Sequence, residues 1–221
     1  LKLNKIILGT AQLDKNYGVV RDKSNYDFAK ILNLCRKEGI TTIDTSNKYY
    51  SAHEKLKNDK EIQNLKIISK ISFSKYDNVY INEKIIEKEI KNIFISLNLK
   101  KIYCLMLHDS KVLNTSHGNF LIRKIRELKD KNLIQKIGLS IYDTQELEKF
   151  YHYDFDIIQG PFNIFDQRIK KEGWLKKIKD QKKQFHARSI FLQGLLSQTK
   201  IEDIPFKFRK WNHYWSQWFD W

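Results

Sequence analysis

Apolar residues recur along this chain in two alternating rhythms. Short runs rich in Ile and Leu read as buried strands, and longer stretches with apolar residues three and four apart read as helices. The predicted strands are Leu3–Gly9, Ile40–Asp44, Leu65–Ile71, Ile102–Leu107, Ile134–Ser140, Phe155–Gln159 and Phe185–Ile190. A helix capped by Ser24 carries Phe28, Ile31, Leu32 and Cys35 and ends at Gly39. A short helix is expected over His53–Asn58, and a long one starts at Asn82 with Ile85, Ile86, Ile90, Ile93 and Leu97 on its apolar stripe. Further helices are expected over Asn119–Lys131, Thr144–Tyr151 and Asp166–Lys182.

Strand and helix therefore alternate from end to end, which predicts an α/β protein with a parallel sheet and one domain over residues 1–221. An open doubly wound sheet and a closed barrel both satisfy that order. No G-x-G-x-x-G follows the first strand, which counts against the dinucleotide-binding open sheet. The polar residues Asp44, Lys70, His108, Ser140 and Gln159 lie at or near the C-terminal ends of successive predicted strands. In a barrel such ends converge on one face, whereas in an open sheet they form a line too long to act together. The pattern favours the barrel.

Composition narrows the partners. Hydrophobic residues make up 41% and charged residues 30% of the 221, which fits a globular chain rather than a disordered one. No apolar run approaches the roughly 18 residues of a membrane helix. The opening Leu1-Lys2-Leu3-Asn4-Lys5 is too polar for a secretory signal. Cys35 and Cys104 sit inside apolar patterns, as buried free thiols would, and a cytoplasmic location follows. The net charge of +15 raises nucleic-acid binding as a reading. The lysines, however, are spread along the whole chain. In the densest segment, Lys170–Lys183, the residues Trp174, Leu175 and Ile178 mark a buried helix face and leave the lysines as a solvated one. Neither nucleic acid nor membrane is therefore expected as partner, and the positive field suits a phosphate-bearing ligand. The histidines and cysteines show no metal-ligand spacing.

Asp44, Tyr49, Lys70 and His108 are the groups that reduction of an aldehyde or ketone asks for. Hydride arriving at a carbonyl carbon leaves an alkoxide that needs a proton. Tyrosine is a weak acid, with an ordinary pKa of about 10, and a neighbouring ammonium favours its ionisation. Lys70 is placed to do this, Asp44 to hold Lys70, and His108 to hydrogen-bond the carbonyl oxygen. No side chain supplies a hydride, so a cofactor is implied. Each residue also has a plainer reading. Asp44 can be a strand end before a solvated turn, Lys70 a strand-end lysine in water, and His108 half of a loop pair with Asp109.

The motifs resemble the aldo-keto reductase family. I-I-L-G-T-A-Q-L with Tyr17-Gly18 resembles its first strand and turn, and I-D-T-S-N-K-Y-Y its Asp-Thr-Ala followed by Tyr-Gly. Ser69-Lys70, M-L-H-D at Met106–Asp109 and I-G-L-S at Ile137–Ser140 follow in the family's order. D-I-I-Q-G-P-F-N-I-F-D-Q-R and A-R-S-I-F-L-Q-G-L-L resemble a bacterial branch that accompanies cell-surface polysaccharide biosynthesis, which implies a sugar-derived carbonyl substrate. The resemblance covers about residues 6–196. It implies a TIM-like (α/β)8 barrel, NADP(H) as cofactor and the catalytic set Asp44, Tyr49, Lys70 and His108. It also implies cofactor contacts from Gly9, Thr10, Asp44, Ser140, Gln159, Arg188, Ser189, Phe191 and Gln193. Taken singly, Arg188 reads equally as a surface charge and Gln159 as a buried amide satisfied by backbone.

The chain departs from the family at Tyr50, where glycine is usual, at Ile141, often asparagine, and at Glu54, which stands one place late. After Leu196 only 25 residues remain, where the family has another strand, two helices and the segment that grips the adenosine 2′-phosphate. The expectation is a barrel lacking its eighth strand and last helices, with weak NADPH binding and self-association. The alternative is a catalytically silent barrel that binds a ligand or partner. The aromatic tail Phe206–Trp221 reads either as a binding face or as an outer-ring helix covering the seventh strand, and the second is favoured.

Overall fold

The computed structural model describes residues 5–13, 27–76 and 81–220. Seven parallel strands form one sheet in sequence order: β1 (Leu8–Gly9), β2 (Thr42–Ser46), β3 (Lys66–Ile71), β4 (Ile102–Leu107), β5 (Ile134–Ser140), β6 (Ile157–Pro161) and β7 (Gln184–Arg188). Helices cross over between them: α1 (Phe28–Lys37), α2 (Tyr50–Lys57), α3 (Glu83–Leu97), α4 (Gly118–Asp130), α5 (Gln145–Phe150), and the pair α6 (Arg168–Lys171) and α7 (Trp174–Asp180). A last helix, α8 (Asn212–Asp220), follows three 3-10 turns. Among the described residues no eighth strand joins the sheet.

The sheet is curled into a barrel wall. Neighbouring strands lie about 4.8 Å apart, so β2 and β6 would stand nearly 20 Å apart in a flat sheet. Yet Gln159 on β6 donates to Asp44 on β2 at 3.1 Å. Strand alternation sorts the side chains between the two faces of this wall. Ile68, Cys104, Met106 and Ile157 turn inward and pack with Ile7 as a small interior core. Ile43, Ile67, Leu105, Leu107, Ile137, Leu139 and Ile158 turn outward into the large core beneath the helices, against Leu32, Ile86, Ile93 and Ile125 among others. The same alternation places Asp44, Ser46, Lys70, Ser140 and Gln159 on the inner side, at the C-terminal mouth. The register pairs Ser46 with Lys70 and Ser140 with Gln159.

Several boundaries differ from the expectation. β1 pairs with β2 only at Leu8 and Gly9; Leu3 and Asn4 lie outside the described residues. Tyr17-Gly18 and Ser24 lie outside them too, and α1 is capped instead by Asp27, whose carboxylate accepts from the Lys30 amide at 3.2 Å. β2 does not stop at Asp44. Thr45 and Ser46 continue the ladder against Ser69 and Lys70, because backbone pairing is indifferent to side-chain polarity. The helix expected over Asp166–Lys182 is broken at Gly173, whose φ of +78° is left-handed, a conformation glycine adopts without the steric cost that a Cβ brings. The tail is helical as expected, and among the described residues its apolar cluster includes none of β7. Trp215 packs with Leu195, Leu196 and Ile204 as a cluster of its own, and its indole donates to the Phe208 carbonyl at 2.9 Å. Lys170, Lys171, Lys176, Lys177, Lys179 and Lys182 are exposed while Trp174 and Ile178 are buried, the solvated face that the sequence indicated. Both cysteines are free and buried.

Candidate functional site

Asp44 is the junction of four strands. Its register partner on β1 is Gly9, and its carbonyl accepts from both the amide and the hydroxyl of Thr10, each at 3.0 Å. One carboxylate oxygen is paired with the Lys70 ammonium of β3 and the other accepts from the Gln159 amide of β6. Lys70 is only 6% exposed and Asp44 15%, so the ion pair is nearly out of water. The plainer reading of Lys70, a strand-end lysine in solvent, is excluded by this burial. Gln159 pairs with a carboxylate rather than with backbone, and its own carbonyl oxygen is buried without a partner.

The turn after β2 carries Tyr49 and is held by side chains. The Asn47 amide nitrogen of the backbone donates to the Lys70 carbonyl at 3.0 Å. The Asn47 side chain then pairs with Ser72 as a strand would, donating to its carbonyl at 3.0 Å and accepting from its amide at 2.9 Å. A further bond from Asn47 reaches the buried carboxylate of Glu89 on α3, which also accepts from Tyr76 and pairs with Lys75. Tyr49 follows at the N-terminus of α2, its amide on the Ser46 carbonyl at 2.9 Å. Its ring centre lies 6.1 Å from that of His108, edge to face at 75°.

His108 follows β4. Its Nδ1 lies 2.9 Å from the Ser46 hydroxyl, so its partner is Ser46 rather than Asp109, whose carboxylate takes the Lys111 amide. Burial, and after it the positive charges of Lys70, Lys48 and Arg188, push the imidazole pKa down to about 3. At neutral pH the ring is therefore uncharged.

The far side of the mouth is built by β5, β6 and β7. Ser140 and Gln159 are buried register partners. Arg188 is no ordinary surface charge: it donates to the Ile141 carbonyl at 2.8 Å and lies 4.3 Å over the Tyr142 ring, with its Nε buried and unpartnered. The segment beyond β7 holds Ser189, Leu192 and Gln193 in the left-handed region, at φ of 56°, 46° and 56°. Side-chain-bearing residues seldom adopt that conformation, and clusters of it occur where a loop is shaped around a ligand. Asn163 anchors the loop by donating to the Ser189 carbonyl at 3.2 Å.

These elements enclose one cavity of about 560 Å³. Asp44, Tyr49, Lys70 and His108 line it, and so do Gly9, Thr10, Ser140, Gln159, Arg188, Ser189, Phe191 and Gln193. Every residue predicted as catalytic or cofactor-binding thus borders the same space. Among the neighbours that the sequence reading missed are Ser46 behind His108, and Gln12, Tyr142 and His186 in the lining. Ser46 was legible in principle, since it stands two residues beyond Asp44 and strand alternation returns it to the same face. Among the described residues no group of three or more His, Cys, Asp or Glu side chains is arranged to hold a metal ion.

The aldo/keto reductase family model matches residues 5–219. No curated protein matches the chain. Solved structures share the fold at low identity. An aldo-keto reductase from Bacillus halodurans, in its holo form, is 17% identical with a TM-score of 0.70, over 87% of this chain and 64% of that one. The glycerol dehydrogenase of Gluconobacter oxydans is 17% identical with a TM-score of 0.68, over 97% and 71%. An aldo-keto reductase from Klebsiella pneumoniae, in complex with NADPH, is 16% identical with a TM-score of 0.65, over 88% and 69%.

Proposed function

The chain belongs to the aldo/keto reductase family, and from that premise we propose that it reduces an aldehyde or ketone to the alcohol, with NADPH as hydride donor and Tyr49 as proton donor. The observation that carries this reading is the convergence of Asp44, Tyr49, Lys70 and His108, from three strand ends, on one cavity. Tyr49 gives its hydroxyl proton to the carbonyl oxygen as negative charge builds there. The Lys70 ammonium, fixed by Asp44, stabilises the phenolate left behind. His108, uncharged, hydrogen-bonds the carbonyl oxygen and sets its position against Tyr49.

The residues on the other side of the cavity fit a nicotinamide cofactor. The orphaned Gln159 carbonyl oxygen, buried beside Ser140, suits a carboxamide N–H. Ser140 and Gln159 would hold the amide. Gly9 and Thr10 would border the ring. Arg188, Ser189, Phe191 and Gln193 would hold the ring and pyrophosphate, the arginine by its charge. When bound, the cofactor supplies the hydride that no side chain can. The NADPH complex of the Klebsiella pneumoniae structure supports the same cofactor here.

Tyr49→Phe keeps the ring and removes the acid. Carbonyl reduction should fall by about a hundredfold or more, while NADPH affinity, read by fluorescence titration, stays at the parent value. Unchanged turnover would remove Tyr49 from the role. A parent chain that binds NADPH yet reduces nothing in a panel of aldehydes and ketones, sugar-derived ones included, would favour the silent barrel instead.

A further inference from the structure

The Ser46 hydroxyl takes no direct part in carbonyl reduction, yet it touches His108. It is fully buried at the end of β2. Its oxygen lies 2.9 Å from His108 Nδ1, 3.2 Å from the Lys70 carbonyl oxygen and 3.2 Å from the Lys48 amide nitrogen. A hydroxyl has one proton and two lone pairs. The Lys48 amide can only donate, so it occupies a lone pair. The single proton then goes either to the Lys70 carbonyl or to His108 Nδ1. The two choices have opposite consequences for the imidazole.

Given to the Lys70 carbonyl, the proton leaves the Ser46 oxygen to accept from Nδ1–H, and Nε2 is then a bare lone pair. Given to Nδ1, it makes that nitrogen an acceptor and puts the ring proton on Nε2. The surroundings favour the second arrangement. The Lys70 carbonyl already accepts the Asn47 amide at 3.0 Å and is not orphaned when the hydroxyl turns away. The contact to Nδ1 is also the shorter of the two.

We propose that Ser46 is a positioning residue, which donates its one proton to His108 Nδ1 and so fixes the uncharged imidazole as the Nε2–H tautomer. His108 then meets a carbonyl oxygen as a hydrogen-bond donor. The other tautomer would set a nitrogen lone pair against the oxygen lone pairs. Because the ring is uncharged at neutral pH, it has a single N–H, and its partner on the far nitrogen decides which side carries it. The donor form gains strength as charge builds on the oxygen during reduction. The use of that donor rests on the carbonyl-reductase reading; the tautomer itself does not.

The test is NMR of the full chain with 15N-labelled histidine at pH 7, the His108 signals being assigned by their loss in His108→Asn. The expected pattern is an unprotonated Nδ1 and a protonated Nε2. In Ser46→Ala the two tautomers should mix. Carbonyl reduction should fall by about tenfold in kcat/KM with NADPH affinity unchanged, in line with the loss of an orienting outer partner. Ser46→Thr, which keeps the hydroxyl, should restore the parent pattern. A protonated Nδ1 in the parent chain overturns the proposal, and so does a Ser46→Ala spectrum with the parent pattern. The tautomer is read without turnover, so a chain that reduces no carbonyl would sink the functional reading while the spectra still decide the role of Ser46.

Discussion

His53 shows what an imidazole costs when it is buried outside the site. It sits on α2 with 4% of its surface exposed, Nδ1 bonded to the Ser96 hydroxyl at 2.8 Å and Nε2 without a partner. Burial alone pushes its pKa from the ordinary 6.5 down to about 4. The folded chain therefore declines a proton that the unfolded chain takes up, and stability falls as pH drops through the window from about 6.5 to about 4. Above that window the group has no effect, and below it the loss is complete. His53→Gln removes the titration. In urea titrations between pH 7 and pH 4 the parent should lose on the order of 3 kcal/mol more than the variant. Equal losses would mean that His53 titrates normally in the fold. His108 is depressed for the same first reason, burial, but with three cations adding to it. Asp44, Lys70 and His108 were legible because each is a polar residue at or near the end of an apolar run, and Tyr49 because it follows Asp44 by five residues, just beyond the strand. Ser46 was passed over because the apolar run ends before it, although the strand and its alternation continue to it.

At the scale of elements, the site depends on helix α3 as much as on strands. Glu89 lies three residues after Ile86 and one before Ile90, so helical periodicity sets its carboxylate on the buried face. There it accepts from Asn47 at 3.1 Å, Tyr76 at 2.9 Å and Asn92 at 3.2 Å, and pairs with Lys75 at 2.8 Å. It joins the turn that carries Tyr49 to the turn after β3. Glu89→Ala leaves buried donors without an acceptor, and breaking such a network costs roughly 3–5 kcal/mol. Guanidinium unfolding should show that loss; a change within about 0.5 kcal/mol would mean that water replaces the carboxylate. The order of elements was readable throughout, and β4 and β5 have the bounds read from sequence; β4 shows why, since a strand buried on both faces is a continuous apolar run. The break between α6 and α7 was not, since the apolar spacing of Ile169, Trp174 and Ile178 carries no mark of the left-handed turn at Gly173. Nor did the aromatic tail disclose its partners. Leu195, Leu196 and Ile204 are close to Trp215 only through the 3-10 turns between them.

The whole molecule sets two tendencies against each other. Among the described residues no strand pairs with the outer edge of β7, and unpaired backbone edges invite pairing with another chain. Phe206, Phe191 and Tyr214 add exposed aromatic surface. Opposing association is a net charge of +15. At about 0.01 M salt the screening length is roughly 30 Å, comparable with the molecule, and like-charged copies repel as wholes. At about 0.5 M it shrinks to a few ångströms, so repulsion fades while edge pairing and apolar contact remain. The chain should therefore sediment as a monomer at low salt and self-associate as salt rises. This sign separates the edge from the charge as the source of interaction. Binding to nucleic acid through the same lysines would weaken steeply with salt, because it releases counterions from the phosphates. Sedimentation velocity at both salt concentrations, with and without an arbitrary oligonucleotide, reads both trends. A monomer at high salt would show that the β7 edge is covered in solution. Complexes that form with the oligonucleotide at low salt and dissolve at high salt would return the lysines to the function that their spread along the chain argues against.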